Sequence, residues 1–556
     1  MRSKVPRLLA GLTVLTVLLG LITTLPASGK SVKKVSAGVL NHVSGAVATR
    51  YYIANPKLAP DQQRARFEAL HRLADQAAAN GYQAPKGGVA PVGDRFNDDS
   101  IGLPQNEESV GLCTSATSNV LEGTNDYRGL LDPEFNFTGW HFSNNSGASL
   151  TNEGRLPHIV LSDGVTTRPS GGDPVDVCEN VDGAPTLYAG SLNYDPFDPF
   201  GLTSAVGGYM SDPTTLASCP GGSDPSCWPI SRSVAESAPG HFLDKEWMTA
   251  GDTGDGVHVW FTYSDFDNNL PCCYANIMAV RCVADLSSCS APIQIDDPVI
   301  DQDIQFSDVS IGTDGRTYIT YVQVIGEIEG TAQTFVIKSR IGDAGCEDVS
   351  CFGPIQTVDS VDLALPFGGF LQGNDFRIAT VPKSIVKVVN GNPRIFVVFD
   401  ECRARIGDTL CEHPKIKLRY SDDDGATWSD IKVLSKDAVN YFPSISSDTH
   451  SQFVVSYYTN RFDSGFQNAQ DIEIVTVDAS TVSILKRQRV TDDGFTPNET
   501  EADPTLGGFF IGDYIEVAAH DGVSYIGYNM NTRDVAIFGE GVKVPQQDNF
   551  LSVIGN

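Results

Sequence analysis

Residues 421–428 read Ser-Asp-Asp-Asp-Gly-Ala-Thr-Trp, and this octapeptide predicts a tight turn between two strands. Asp423 can accept hydrogen bonds from nearby backbone N–H groups, and Gly425 can adopt a positive φ. Trp428 supplies an apolar anchor beneath the turn. The six residues before the octapeptide, Lys415 to Tyr420, alternate polar and apolar side chains as a half-buried strand does. The octapeptide therefore belongs to a β-hairpin.

A strand–turn–strand unit recurs along most of the chain. Four of its turns are Asp-Gly pairs, which are a strong hairpin signal: Asp182-Gly183, Asp255-Gly256, Asp314-Gly315 and Asp521-Gly522. The aromatic and β-branched second strands are Asn119–Arg128, Thr186–Asp195, Val257–Asp267, Arg316–Val324, Arg394–Arg403, Gln452–Arg461 and Ser524–Arg533. The units recur at roughly sixty to seventy residues, with no long helical pattern between them.

This repetition predicts an all-β fold, a β-propeller of about seven blades, because radial repetition protects the edges of small sheets. Six blades are the alternative, if the first unit only completes the last. The last unit lacks a fourth strand, and we expect the N-terminal arm to supply it.

The octapeptide fits the pattern S-x-D-x-G-x-T-W at every fixed position and resembles the Asp-box, or BNR repeat, of the sialidase superfamily. The resemblance runs from about Glu107 to Arg533 and is to secreted bacterial members of that superfamily. Other stretches similar to its blades are 125–129, 138–143, 171–174, 244–247 and 510–514. The resemblance implies a sialidase-like propeller that acts on glycans. It also implies that the Asp-box residues are structural and lie away from the active site: Ser421, Asp423, Gly425, Thr427 and Trp428.

Sialidases hold the substrate carboxylate with three arginines and use a Tyr nucleophile assisted by Glu, with an Asp as acid/base. Their first-blade motif F-R-I-P is similar to Phe376-Arg377-Ile378-Ala379, which lacks the proline and stands in the fifth unit. Arg155-Leu156-Pro157 is nearer the start, but it follows a degraded Asp-box at 143–150. The arginine triad therefore cannot be assigned residue by residue.

Propeller geometry itself selects candidate site residues, because the starts of the innermost strands and the ends of the second strands lie on one face. The innermost-strand starts supply Glu107, Asp173, Asp244, Glu246, Asp308, Arg377, Asp513 and Tyr514. The second-strand ends supply Tyr127, Arg128, Asp400, Arg403, Arg461 and Arg533. We expect one channel mouth to carry this polar set.

Two roles follow for these side chains. Crowded carboxylates share protons, and a Tyr beside a carboxylate can act as a nucleophile. The candidate catalytic residues are Arg377, Asp513, Tyr514, Asp173, Asp244 and Glu246. Guanidinium groups bind anions bidentately, so the candidate substrate-binding residues are Arg128, Arg403, Arg461 and Arg533. The alternative is that the Asp and Arg residues pair with each other and tie blades together.

The chain has 12 cysteines, and eight of them stand in close pairs that predict disulfides across short loops. These pairs are Cys219–Cys227, Cys282–Cys289, Cys346–Cys351 and Cys402–Cys411. The pairing of Cys113, Cys178, Cys272 and Cys273 stays open. No pair has zinc-site spacing and the histidines form no metal motif, so we expect neither a metal nor a cofactor.

The N-terminus has the order of a secretory signal peptide: basic residues, an apolar run from Leu8 to Leu25, then small residues. We predict a leader at 1–29, with an uncleaved membrane anchor as the alternative. Residues 30–104 are predicted to be a helical arm and linker, with the helical pattern in 61–80, and residues 105–556 the propeller. The net charge of -30 argues against nucleic-acid partners and suits an extracellular protein.

Two functions agree with these features. One is an exo-glycoside hydrolase, sialidase-like, that anchors an anionic sugar through arginine. The other is a non-catalytic propeller that binds a glycan or a protein outside the cell or at its surface. An enzyme would bring two or three arginines together with a Tyr or a carboxylate, whereas a binding module would use those arginines in salt bridges.

Overall fold

A computed structural model describes residues 35, 39–40, 43–59, 61, 64–65, 67–68, 71–72, 96–97, 103–270, 274–297, 303–325, 334–364, 370–371, 376, 378–406, 410–449, 451–463, 469–497, 510–535 and 544–556. The predicted leader, Arg377, Cys272 and Cys273 lie outside these residues. All of the described residues belong to one compact unit, 35–556. No helix among them is long and apolar enough to cross a membrane.

The described strands form seven blades that follow each other along the chain, and one small additional sheet. Blade 1 contains β1 Gln105–Leu112, β2 Val120–Asp126, β3 Thr138–Ser143 and β4 Asn152–Arg155; blade 2 contains β7 Val175–Val181, β8 Ala184–Asn193, β9 Ala205–Ser211 and β10 Ile230–Glu236, extended by β5 Ile159–Val160 and β6 Thr167–Arg168. Blade 3 contains β11 His241–Asp252, β12 Val257–Asp267, β13 Ala275–Val283 and β14 Ile293–Gln294; blade 4 contains β15 Asp303–Ile311, β16 Thr317–Ile325, β17 Thr334–Gly342 and β18 Gln356–Val361.

The remaining blades complete the series. Blade 5 contains β20 Lys383–Val389, β21 Asn392–Glu401, β24 Lys415–Ser421 and β25 Lys432–Val433; blade 6 contains β26 Asn440–Ser447, β27 Gln452–Thr459, β28 Asp471–Asp478 and β29 Ile484–Arg489; blade 7 contains β30 Glu516–His520, β31 Val523–Val535 and β32 Val544–Gly555. A small separate sheet contains β19 Phe370–Leu371, β22 Ala404–Ile406 and β23 Leu410–Glu412. The α-helices are α1 Gly45–Ala54 and α2 Pro213–Ser218, and short 3-10 turns lie at Pro56–Leu58, Tyr127–Leu131 and Val349–Cys351.

The first strand of each blade contacts the first strand of the next blade, and β30 of the last blade contacts β1. The ring is therefore closed, and the predicted all-β propeller is confirmed with seven blades rather than six. Its apolar cores lie between neighbouring blades; Leu121 of blade 1, for example, shares one core with Leu187 of blade 2. Burial of these facing apolar surfaces is the main force that holds the ring together.

Blade 7 has three strands among the described residues. The linker does reach this blade, because the Phe96 N–H donates to the Asn549 carbonyl oxygen of β32 at 3.0 Å. Phe96 also packs into the core between blades 1 and 7, together with Val110 and Leu551. The expected fourth strand is thus replaced, in the described chain, by a short contact beside β32.

The octapeptide turn of blade 5 is held by its own side chains. Ser421 Oγ accepts from the Gly425 N–H at 2.8 Å, and Asp423 accepts from the backbone and hydroxyl of Thr427 at 2.8 and 2.6 Å. Gly425 has a φ of 79°, which other residues rarely adopt. Trp428 packs, half-buried, against the core between blades 4 and 5.

The degraded version in blade 1 makes equivalent bonds. Ser143 Oγ accepts from the Gly147 N–H at 3.0 Å, and Asn145 Oδ1 accepts from the Ser149 N–H at 3.0 Å. The Asn145 side-chain oxygen therefore replaces the carboxylate oxygen of Asp423 as the hydrogen-bond acceptor. The backbone conformation is also the same, with a φ of 76° at Gly147 and 79° at Gly425.

The four predicted disulfides are present: Cys219–Cys227, Cys282–Cys289, Cys346–Cys351 and Cys402–Cys411. The first and third lie in the connections between the third and fourth strands of blades 2 and 4, and the second joins the end of β13 to the connection that follows it in blade 3. A fifth disulfide, Cys113–Cys178, joins the end of β1 to β7 and so links blades 1 and 2. Sequence spacing could not reveal this pair, because 65 residues separate its members.

Candidate functional site

The inner strands share a repeated backbone conformation near their starts. Six of the seven carry one residue in the left-handed region: Glu107 (φ 60°), Asp173 (53°), Lys245 (55°), Phe306 (54°), Phe442 (51°) and Gly512 (96°). In β1, β11, β15 and β26 the strand register shifts at this position, as a β-bulge requires. Such a conformation costs about 1–3 kcal/mol for a residue with a side chain, so the surrounding fold must hold it in place.

Three of these left-handed residues, Glu107, Asp173 and Lys245, have ionisable side chains that lie close together. The Lys245 ammonium group pairs with the Asp513 carboxylate and lies 3.8 Å from Asp173 Oδ2. The Asp513 N–H donates to Glu107 Oε1 at 3.1 Å. With Asp244 and Glu246, the flanking residues of Lys245, they form what we call the axial cluster: Glu107, Asp173, Asp244, Lys245, Glu246 and Asp513. Four different blades contribute to it, and every member is buried.

Burial raises the pKa of three carboxyl groups in the axial cluster. Glu107 has a pKa well above its usual range because of burial and the nearby charges of Asp173 and Asp513. Burial likewise raises the pKa of Glu246, with a further contribution from Asp173. Burial raises the pKa of Asp244 to about 7, although Lys245 opposes the shift. The cluster thus holds neutral carboxylic acids beside the Lys245–Asp513 ion pair at neutral pH.

The N-terminal arm covers the axial cluster. Ser44, the N-cap residue of α1, is fully buried; its N–H donates to Asp244 Oδ2 at 2.7 Å and its hydroxyl donates to Asp173. The helix that contacts the propeller lies earlier than the pattern in 61–80 indicated, although described residues in 64–72 are also helical.

Tyr514 lies beside the axial cluster but does not hydrogen-bond to it. Its hydroxyl donates to the Pro174 carbonyl oxygen at 3.0 Å, and its ring packs edge-on against Trp247 at 5.4 Å between centroids. Burial raises the pKa of Tyr514 well above its usual value, and Glu107 adds to the shift. The tyrosine is therefore held in its neutral form.

A second polar set lies deeper in the channel and faces a cavity of about 280 Å³, which is lined by all seven inner strands. Lys383 lies 3.8 Å from Asp308, whose carboxylate accepts from the Ser384 N–H at 2.8 Å. Glu516 accepts from Ser109 Oγ at 2.6 Å. These bonds cross from one inner strand to the next, so they bind neighbouring blades together as well as lining the channel.

Three of the candidate arginines pair with acids away from the axial cluster. Arg128 pairs with Asp126 and Glu153 inside blade 1, and Arg461 with Glu473 inside blade 6. Arg403 pairs with Glu412 of β23, in the small separate sheet. Arg533 lies on β31, but its side chain is outside the described residues, as is Arg377 altogether. Their predicted roles in substrate binding and catalysis stay predictions.

Two members of the site were not among the predicted residues. Lys245 lies in the stretch 244–247, which resembles a sialidase blade. A single lysine between two acids does not indicate that it pairs with Asp513 across the channel mouth. Ser44 lies in the arm. Because serine is a preferred N-cap residue, its sequence position could have predicted the start of a helix. Within the described ranges, no group of three or more His, Cys, Asp or Glu side chains is arranged to hold a metal ion.

Comparison with known proteins finds no matching family model and no matching curated sequence. Among solved structures, an α-L-arabinanase from Penicillium chrysogenum complexed with arabinobiose is similar at 12% identity, covering 71% of this chain and 100% of that chain with a TM-score of 0.44. A protein of unknown function from Dyadobacter fermentans matches at 12% identity over 85% of this chain and 100% of that chain, with a TM-score of 0.40. An α-L-arabinofuranosidase from Fusarium graminearum, complexed with arabinobiose, matches at 11% identity over 55% of this chain and 92% of that chain, with a TM-score of 0.33. Likeness at this level does not extend the activity of any of them to this protein.

Proposed function

We propose that the axial cluster is the active site of a glycoside hydrolase. The proposal rests on one observation: carboxyl groups from four blades lie close together in the axial cluster. Some of these groups are neutral, and one of them, Asp513, is paired with Lys245. Glycoside hydrolysis needs such a pair: a neutral acid that protonates the leaving oxygen, and a carboxylate that acts as base or nucleophile. Glu246 fits the acid, and Asp513, paired with Lys245, fits the carboxylate.

The protein is proposed to act outside the cytoplasm. Five disulfides stand in the described chain, and such bonds persist in oxidising compartments. The strongly acidic composition suits a soluble extracellular protein. The alternative location, at the cell surface behind an uncleaved leader, would leave the site chemistry unchanged.

A more specific form of this proposal is a sialidase-like exo-hydrolase that binds an anionic sugar through arginine. It depends on Arg377 and Arg533, because Arg128, Arg403 and Arg461 already pair with nearby acids. Turnover of sialosides by the wild-type protein, lost in Arg377→Ala, would support this version. Turnover of neutral glycosides that Arg377→Ala retains would exclude it.

A second candidate is a non-catalytic propeller that binds a glycan or a protein at the same face. The observation in its favour is the use of Arg128, Arg403 and Arg461 in ion pairs rather than in an open anion pocket. The pairs of Arg128 and Arg461 lie within blades 1 and 6, and the pair of Arg403 is with the small separate sheet, so they stabilise local structure.

The test is turnover of a panel of fluorogenic glycosides, with sialosides and arabinosides included, by the purified secreted protein. Glu246→Gln and Asp513→Asn keep side-chain size but remove the proposed acid and carboxylate, and each should lower kcat by about 10²–10⁴-fold. Ser421→Ala, in the distant Asp-box turn, is the control and should retain kcat. Turnover that survives both site substitutions would overturn the assignment of the active site.

A further inference from the structure

Ser44 contacts the axial cluster as a bound ligand would. It presents two hydrogen-bond donors, its N–H and its hydroxyl, and they fall on two different carboxylates, Asp244 and Asp173. The serine comes from the N-terminal arm, whereas both acids belong to the propeller. Its side chain is fully buried by this contact.

The arm is seated by further contacts around α1. The Arg50 guanidinium donates to the Phe135 carbonyl oxygen at 2.8 Å and lies over the rings of Phe137 and Tyr194, at 5.0 and 4.8 Å from their centroids. Val47 and Tyr51 join an apolar cluster that includes residues of blades 2 and 3. A Cβ on Gly45 would lie 2.3 Å from the Phe510 ring, so glycine is needed for this close approach.

Buried polar atoms remain without a partner in the site after Ser44 has bound. Asp244 Oδ1 and both carboxyl oxygens of Glu246 are buried without a hydrogen-bond partner among the described residues. An unpartnered buried acceptor costs about 1–3 kcal/mol. A ligand with more hydroxyl groups than one serine, each able to donate and to accept, would therefore satisfy this site better than the arm does.

We propose that residues 43–54 of the arm are a built-in competitor for the site, with Ser44 in the position of a ligand hydroxyl group. The proposal rests on the assignment of the axial cluster as the active site and extends it to the ligand class. The acceptors that Ser44 meets select hydroxyl or amine donors, as a neutral or amino sugar presents them. A tethered competitor acts at an effective concentration that its linker sets, and it lowers the apparent affinity for free ligands.

A matched pair of variants tests the proposal. Ser44→Asp and Ser44→Asn both place good N-cap residues before α1, and the two side chains are nearly equal in size. Only the aspartate brings a carboxylate against Asp173 and Asp244, and like charges at such distances repel. We expect Ser44→Asp to release the arm and Ser44→Asn to keep it seated.

Two readouts separate this inference from the proposed function. The first is labelling of Asp173 and Asp244 by a water-soluble carbodiimide with glycine methyl ester at neutral pH, located by peptide mass spectrometry. We expect labelling in Ser44→Asp and none in Ser44→Asn. The second is turnover of neutral fluorogenic glycosides, which should rise about tenfold or more in Ser44→Asp relative to Ser44→Asn.

Equal labelling of the two variants would overturn the proposal, and so would labelling in Ser44→Asp with unchanged turnover of a glycoside that the wild-type protein hydrolyses. Labelling confined to Ser44→Asp, with no turnover by any variant, would refute the hydrolase and retain the arm as a removable cover. If Ser44→Asp does not fold, Arg50→Glu serves instead, because its carboxylate would face the Phe135 carbonyl oxygen; Arg50→Lys, which keeps the positive charge, is its control.

Discussion

The Lys245 ammonium group pairs with the Asp513 carboxylate across the channel mouth, although the two residues stand 268 positions apart. Lys245 lies in blade 3 and Asp513 immediately precedes blade 7, and these blades are not neighbours in the ring. The pair is therefore a direct tie across the axis, beyond the contacts between adjacent blades. It also fixes the position of the carboxylate that we assign to catalysis.

Lys245→Met should lower the free energy of unfolding by about 3–5 kcal/mol, because it leaves Asp513 buried without its lysine. Denaturant unfolding followed by tryptophan fluorescence measures this change. Lys417→Met is the control: Lys417 pairs with Glu401 nearer the surface, and its loss should cost much less. Equal losses in the two variants would contradict a special role for the cross-channel pair.

The raised pKa of Asp244 predicts a dependence of stability on pH. The group has a pKa of about 7 in the folded protein and 3.8 ordinarily, so the folded state binds its proton more tightly. Its stabilising contribution is complete below pH 3.8 and is lost as the pH rises to about 7. The full loss amounts to about 4 kcal/mol at 1.36 kcal/mol per pH unit.

Asp244→Asn removes this titration, and the comparison isolates it from other buried acids such as Glu516, whose pKa burial also raises to about 7. The free energy of unfolding should fall less between about pH 4 and pH 8 in Asp244→Asn than in the wild-type protein. Parallel curves for the two proteins would show that Asp244 titrates normally in the folded state.

The two Asp-box-like turns predict equal structural roles for Ser421 and Ser143. Each hydroxyl oxygen accepts from a glycine N–H, at 2.8 Å from Gly425 and 3.0 Å from Gly147. Ser421→Ala and Ser143→Ala should each destabilise the protein by about 1–2 kcal/mol, because an amide loses its acceptor. Thermal unfolding measures the loss. A loss in Ser421→Ala alone would mean that the degraded turn is held by other contacts.

The propeller was predictable because its signal is local and repeated. Asp-Gly turns, alternating strands and short cysteine loops each identify a hairpin without knowledge of the rest of the fold. The location of Asp173, Asp244 and Asp513 on one face also follows from strand order. The pairing of Lys245 with Asp513 does not, because it depends on the left-handed backbone conformation of Lys245. The six residues with this conformation are of five types (Glu, Asp, Lys, Phe and Gly), so they share no common sequence signal.

The position of the N-terminal helix α1 also could not be predicted from the sequence. Apolar spacing predicts a helical pattern in 61–80, whereas α1 begins at Gly45 with a sequence of small and aromatic residues that lacks a clear apolar stripe. Tertiary contacts with three blades, rather than helical periodicity, determine where α1 lies. The hydrogen bonds from Ser44 to Asp173 and Asp244 could not be predicted without knowledge of those contacts.

Tyr514→Phe distinguishes the two catalytic chemistries that the sequence left open. In a sialidase-like mechanism Tyr514 would be the nucleophile, and its loss would abolish turnover. In the carboxylate mechanism the hydroxyl only donates to the Pro174 carbonyl oxygen, so Tyr514→Phe should retain kcat within a few-fold and lower stability by about 0.5–1.5 kcal/mol. Asp513→Asn, one residue away, should instead lower kcat by about 10²–10⁴-fold, measured on the folded fraction of the variant. Turnover lost in Tyr514→Phe and kept in Asp513→Asn would reverse these roles, because the tyrosine would then have to leave Pro174 and attack the sugar itself.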